Sequence, residues 1–154
     1  VLGWREWISL PGLGVPWIKA KVDTGARTSA LHVTALEEVD AETVRFLIHP
    51  QQRRSGGEVS ARARLVDRRR VRSSSGAAEE RPVVELQVAL GGLQWPVEVT
   101  LTRRDQMGFR MLLGRTAIRG RFLVDPGASY IQGRPPHAPT SSDLDSPPNP
   151  DRNS

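Results

Sequence analysis

The chain has 154 residues, 38% hydrophobic and 5% aromatic, enough for one domain with a modest core. It has no cysteine, which excludes disulfides and thiolate metal centres, and no apolar run long enough to cross a bilayer. The formal charge of +5 sets 22 basic against 17 acidic residues, and all the basic ones except Lys19 and Lys21 are arginine. Guanidinium groups pair with carboxylates and phosphates, so the charge points to an acidic peptide or RNA as partner; a solvated arginine-rich surface accounts for it equally. The lack of cysteine fits a cytoplasmic protein, and Trp4-Arg5-Glu6-Trp7 interrupts any secretory leader.

In chain order, residues 4–10 read as a short strand stopped by Pro11-Gly12. Residues 15–22 alternate, with Ile18, Ala20 and Val22 on one face; Pro16 puts the start of this second strand at a sheet edge. A loop over 23–28 follows, then a strand over 29–33 and an acidic stretch, 34–40, that reads as a turn of helix. Val44, Phe46 and Ile48 mark another strand, 51–57 a polar loop, and Val59, Ala61, Ala63 and Leu65 a further strand. Residues 66–82 turn basic and then small and polar, which predicts an exposed, mobile hairpin or lid.

The cleanest pattern comes next. Val84, Leu86, Val88 and Leu90 share one face, Gly91-Gly92 makes the turn, and Trp95, Val97, Val99 and Leu101 mirror them: a β-hairpin. A polar link over 102–109 leads to the buried run Met111-Leu112-Leu113, one or two helical turns in 116–121, and a last strand over 122–124. Beyond Gly133 the chain is mostly Pro, Ser, Asp and Asn with almost no apolar residues, which cannot bury enough surface to offset ordering entropy. The expectation is an all-β domain over residues 1–132 and a disordered tail over 133–154.

Val22-Asp23-Thr24-Gly25-Ala26 is the stretch with chemistry in it: a carboxylate at a strand end, in a turn made of small residues. An Asp-Thr-Gly triplet alone is also an ordinary Asx-turn. Its strand context, and the later Leu112-Leu113-Gly114-Arg115, make the chain resemble the retropepsin family of aspartic peptidases. Gly3-Trp4-Arg5-Glu6-Trp7, the run from Lys19 to His32, Glu80-Arg81-Pro82-Val83 and Met111 to Ala117 are similar to the bacterial branch of retropepsin-like proteins often labelled "ATP-dependent zinc protease". The similarity covers residues 3 to 132.

The resemblance implies a closed β-barrel, one lobe per chain, with the active site at a homodimer interface. It makes Asp23, Thr24 and Gly25 the catalytic loop, and Ala26, Leu112, Leu113, Gly114 and Arg115 its support. Residues 71–82 become a flap over the substrate. Because the chain has one Asp-Thr-Gly, the second carboxylate is expected from Asp23 of another copy. In this branch the protease acts on the glutamate-extended C-terminal tail of a small-subunit ribosomal protein, alongside the glutamate ligase that builds it. Arg27, Arg70, Arg72, Ser73, Ser74 and Arg81 are the corresponding candidates for holding an acidic peptide.

Zinc and ATP, suggested by the label, have no motif here. His32, His49 and His137 are widely spaced, there is no His-Glu-x-x-His, and no phosphate-binding Gly-x-x-x-x-Gly-Lys-Ser/Thr. Two other readings stay open: a basic β-domain that binds RNA or the ribosome without catalysis, and a general endopeptidase with apolar subsites.

Overall fold

The structure is a computed structural model that describes residues 1–50, 58–72, 76–103 and 108–133. The eight strands are β1 (Arg5–Leu10), β2 (Val15–Asp23), β3 (Ser29–Glu38), β4 (Thr43–Ile48), β5 (Val59–Arg72), β6 (Ala78–Leu90), β7 (Leu93–Thr102) and β8 (Met111–Gly114); one short helix, α1 (Arg115–Ile118), follows β8 directly. They form one sheet in the order β1-β2-β8-β3-β4-β5-β6-β7. Two further pairings, β1 with β6 and β3 with β7, bring the sheet back on itself as a ring of strands.

The β6–β7 hairpin forms in the predicted register, Val88 opposite Trp95, Leu86 opposite Val97 and Val84 opposite Val99. Gly91 and Gly92 both take positive φ, 60° and 80°, the backbone that a two-residue turn between right-twisted strands requires. All six of those facing side chains are buried, and each fully buried aliphatic contributes roughly 1.5–3 kcal/mol. They join Ile8, Ile18, Leu31, Phe46, Leu101, Met111 and Leu113 in a single core inside the ring. Pro16 lies beyond the β8 ladder, which covers Ala20 to Asp23 of β2, so its missing N–H costs no pairing on that side.

Three expectations need correction. The stretch 34–40 is not helical: β3 runs on to Glu38 and pairs with β4, its register shifting between Thr34 and Glu37 around Ala35, which has φ 50°. Sheet pairing outweighs the helix propensity of Ala-Leu-Glu-Glu. The stretch 66–82 is a hairpin as expected, but a paired one: β5 and β6 stay in register from Asp67–Val83 to Arg72–Ala78. The last strand over 122–124 reduces to one bridge, Val124 with Leu2. The stretch 51–57 read as a polar loop, the candidate residues Ser73 and Ser74, and the expected tail beyond Gly133 lie outside the described residues.

Candidate active site

β2 delivers Asp23 to the edge of the core. Val22 is buried, Asp23 half-buried, and Thr24 and Gly25 exposed. The backbone then reverses: the Ala26 N–H donates to the Asp23 carbonyl at 3.2 Å, and the Gly25 N–H donates to Asp23 Oδ1 at 3.0 Å. Gly25 does not have positive φ; what it supplies is approach, since a Cβ there would stand 3.2 Å from Asp23 Oδ1.

Parallel pairing sets Asp23 beside Gly114 of β8. Leu112 and Leu113 are buried behind the loop. Gly114 donates its N–H to Ser29 Oγ at 3.1 Å, and a Cβ on it would come within 2.5 Å of the Thr28 backbone. The segment that follows then accounts for four consecutive loop carbonyls. Arg115 Nη1 donates to Thr24 O at 3.2 Å and Gly25 O at 3.4 Å, and the Arg115 N–H to Ala26 O at 2.8 Å. The Thr116 N–H and hydroxyl both donate to Arg27 O, at 3.2 and 2.9 Å. One guanidinium nitrogen thus donates to two neighbouring carbonyls of the loop.

Sequence reasoning set Asp125 aside for lacking Thr-Gly, yet Asp125-Pro126-Gly127-Ala128 folds as a copy of this turn. Gly127 N–H donates to Asp125 Oδ1 at 3.0 Å and Ala128 N–H to Asp125 O at 3.2 Å. Trp4 N–H donates to Ala128 O at 2.8 Å, as Arg115 does to Ala26 O, and a Cβ on Gly3 would strike Ala128 O as one on Gly114 strikes Thr28. The shared Asp-x-Gly-Ala spacing was the available signal. Glu6 was also missed as a functional group in its own right. It is fully buried, and its carboxylate accepts the N–H groups of Gly3, Ile131 and Gln132 at 2.6, 3.0 and 3.2 Å. It thereby ties the start of the chain to the segment that follows Asp125.

The candidate arginines separate. Arg70 and Arg72 are exposed on β5. The Arg81 side chain is only 12% exposed and donates to Glu79 at 3.4 Å. Arg27 instead lines a cavity of about 310 Å³ with Arg69, Arg121, Glu98, Thr116 and Trp95. Arg70, Arg72 and Arg81 are not among its lining residues; Arg69, in the basic run that leads into the expected flap, and Arg121, after α1, are. Of the described histidines, His32 Nδ1 accepts from Arg110 Nη1 at 2.8 Å, and His49 Nε2 is hydrogen-bonded to Thr34 Oγ1 at 2.6 Å. No cluster of three or more His, Asp or Glu that would hold a metal occurs among the described residues.

Comparison with known proteins places the chain in a family. The sequence model of the RimB-like family, described as "Retropepsin-like aspartic endopeptidase RimB", matches residues 1–135. Proteins named probable alpha-L-glutamate ligase from Parasynechococcus marenigrum and Shewanella pealeana are 46% and 45% identical over 136 residues, which is 86% of this chain but 29% and 30% of theirs. The chain thus spans about three tenths of the length of these curated relatives. The crystal structure of a Legionella pneumophila protein of unknown function superposes with a TM-score of 0.68 at 28% identity, covering 85% of this chain and 96% of that one.

Proposed function

Since the chain belongs to the RimB-like family of retropepsin-like aspartic endopeptidases, we propose that it hydrolyses peptide bonds with two Asp23 carboxylates, one from each of two copies of the chain. The observation that carries this reading is the loop of residues 24–27, whose four carbonyls are all held by Arg115 and Thr116 while Asp23 stands at its mouth. A loop fixed that way positions a carboxylate without needing the substrate to order it.

Two carboxylates brought close cannot both ionise cheaply, so in the proposed pair one proton is shared between them. The ionised member takes a proton from water as the water oxygen attacks the peptide carbonyl. The protonated member gives its proton to the carbonyl oxygen. Collapse of the resulting diol returns a proton to the leaving nitrogen and regenerates the pair. A two-fold arrangement is supported by Thr24, whose exposed hydroxyl has no hydrogen-bond partner among the described residues and would meet its mate across the axis. It is supported also by Val1 and Leu123, 55% and 77% exposed on adjacent backbone, where Leu2 N–H meets Leu123 O.

For the substrate, we propose a peptide tail bearing added glutamates, such as the C-terminal tail of a small-subunit ribosomal protein, in the cytoplasm. Support comes from the relatives named as glutamate ligases, in which the matching region shares a polypeptide with a longer remainder. A ligase and a peptidase acting on one glutamate chain form a coherent pair. No described helix is long and apolar enough to cross a membrane.

The test is incubation of wild type and Asp23→Asn with a glutamate-tailed peptide, followed by mass spectrometry. Cleavage by wild type alone is expected. Cleavage by both proteins, or by neither, contradicts the reading.

A further inference from the structure

The cavity beside the loop has a chemistry of its own. Its lining includes three guanidinium groups, from Arg27 after the loop, Arg69 on β5 and Arg121 after α1, and one carboxylate, Glu98 on β7. Arg69 pairs with Glu98 at 3.4 Å. Arg27 and Arg121 have no acidic partner among the described residues; the Arg121 guanidinium lies over the Trp95 ring, 5.6 Å from its centroid. The lining therefore carries two positive charges in excess. Gathering cations around a concave surface costs self-repulsion that an incoming anion relieves.

Resting on the peptidase reading above, we infer that this cavity is the recognition site for a carboxylate side chain of the bound peptide, a glutamate or aspartate flanking the scissile bond. Three observations favour that class. The cavity shares its wall with the catalytic loop, because the Arg27 carbonyl is held by Thr116, which also lines the cavity. Glu98 shows that a carboxylate fits against Arg69 in this setting. Nucleic acid is disfavoured because Trp95 is buried and its face is covered by Arg121, leaving no aromatic platform for a base. The substrate carboxylate joins Glu98 around Arg69 and takes the forks of Arg27 and Arg121, which are suited to bidentate pairing.

The experiment measures binding, so it does not depend on turnover. The full chain carrying Asp23→Asn is titrated against a fluorescently labelled tetraglutamate peptide and its tetraglutamine counterpart at low salt. Arg27→Gln and Arg121→Gln, each added to that background, are expected to weaken the glutamate peptide about ten-fold and leave the glutamine peptide unchanged. Arg121→Lys should recover part of the loss. Arg62→Gln removes one exposed positive charge that does not line the cavity and should change binding by less than about two-fold. Circular dichroism checks that each variant is folded.

Equal losses in Arg62→Gln and the cavity variants would reduce the effect to net charge and overturn the site. So would equal binding of the two peptides, or single-stranded RNA binding with the same arginine dependence. Wild type that binds the glutamate peptide through these arginines yet never cleaves it would sink the peptidase reading and leave the site standing.

Discussion

Asp23 and Asp125 are held by the same two backbone hydrogen bonds, and they differ in what stands around them. Asp23 is followed by the exposed Thr24, whose carbonyl accepts from Arg115 Nη1; Asp125 is followed by Pro126, which has no hydroxyl to offer a second subunit. If the pair comes from two copies of Asp23, then Asp23→Asn lowers peptide hydrolysis by at least about a thousand-fold while Asp125→Asn stays within about two-fold. Asparagine keeps the Oδ1 acceptor for the following glycine N–H, so both variants should retain their melting temperatures. A loss at Asp125 as large as at Asp23 would mean that the second carboxylate belongs to the same chain. Gly114 is a second test at this scale. Its Cβ would overlap the Thr28 backbone, so Gly114→Ala should cost about 1–3 kcal/mol in urea denaturation and disable the site as well. The Asp-Thr-Gly loop and the Leu-Leu-Gly-Arg behind it were legible as sequence because their residue types are tied to their tasks. The Asp125 turn was not, because the geometry rests on Asp-x-Gly-Ala, which many ordinary turns share.

The strands were legible wherever one face is buried and the other wet. The β6–β7 hairpin followed from alternation and a Gly-Gly turn alone. β3 past Thr34 was not, since Ala, Leu and Glu favour helix and only the partner strand β4 overrides them. Ala35 carries the cost of that arrangement, with φ 50° at an exposed position. Ala35→Gly should therefore raise stability by about 0.5–1 kcal/mol, read as a higher melting temperature, the relief of left-handed strain exceeding the added entropy of the unfolded chain. No change would indicate that the register shift there is unstrained. The stretch 66–82 read as an exposed hairpin or lid, and the pairing of β5 with β6 through its charged part was not visible in composition. Its exposed ion pairs, Arg68 with Glu38 at 2.7 Å and Arg69 with Glu98, are cross-strand contacts that composition does not reveal.

Across the whole molecule, the ends of the described fold meet near the candidate site. Trp4 O accepts the Val22 N–H, one residue before Asp23, and Glu6 fastens Gly3 to Ile131 and Gln132. Glu6→Ala leaves three N–H groups without their acceptor and should cost about 3 kcal/mol or more, visible as a shifted denaturation midpoint; a midpoint within error of wild type would show that the two ends hold without it. This long-range tie could not be read from sequence, because nothing in Gly-Trp-Arg-Glu-Trp says which distant backbone the carboxylate meets. The proposed pairing of two copies into one hydrolase is also a property of the whole molecule. Subunit mixing tests it most directly. Wild type at fixed concentration is equilibrated with an equal amount of Asp23→Asn, and glutamate-peptide cleavage is measured per wild-type subunit. The account predicts a fall to about half, as half of the wild-type chains pair with a mate that has no carboxylate to share. Activity per wild-type subunit that stays constant as the inactive chain is added would contradict it.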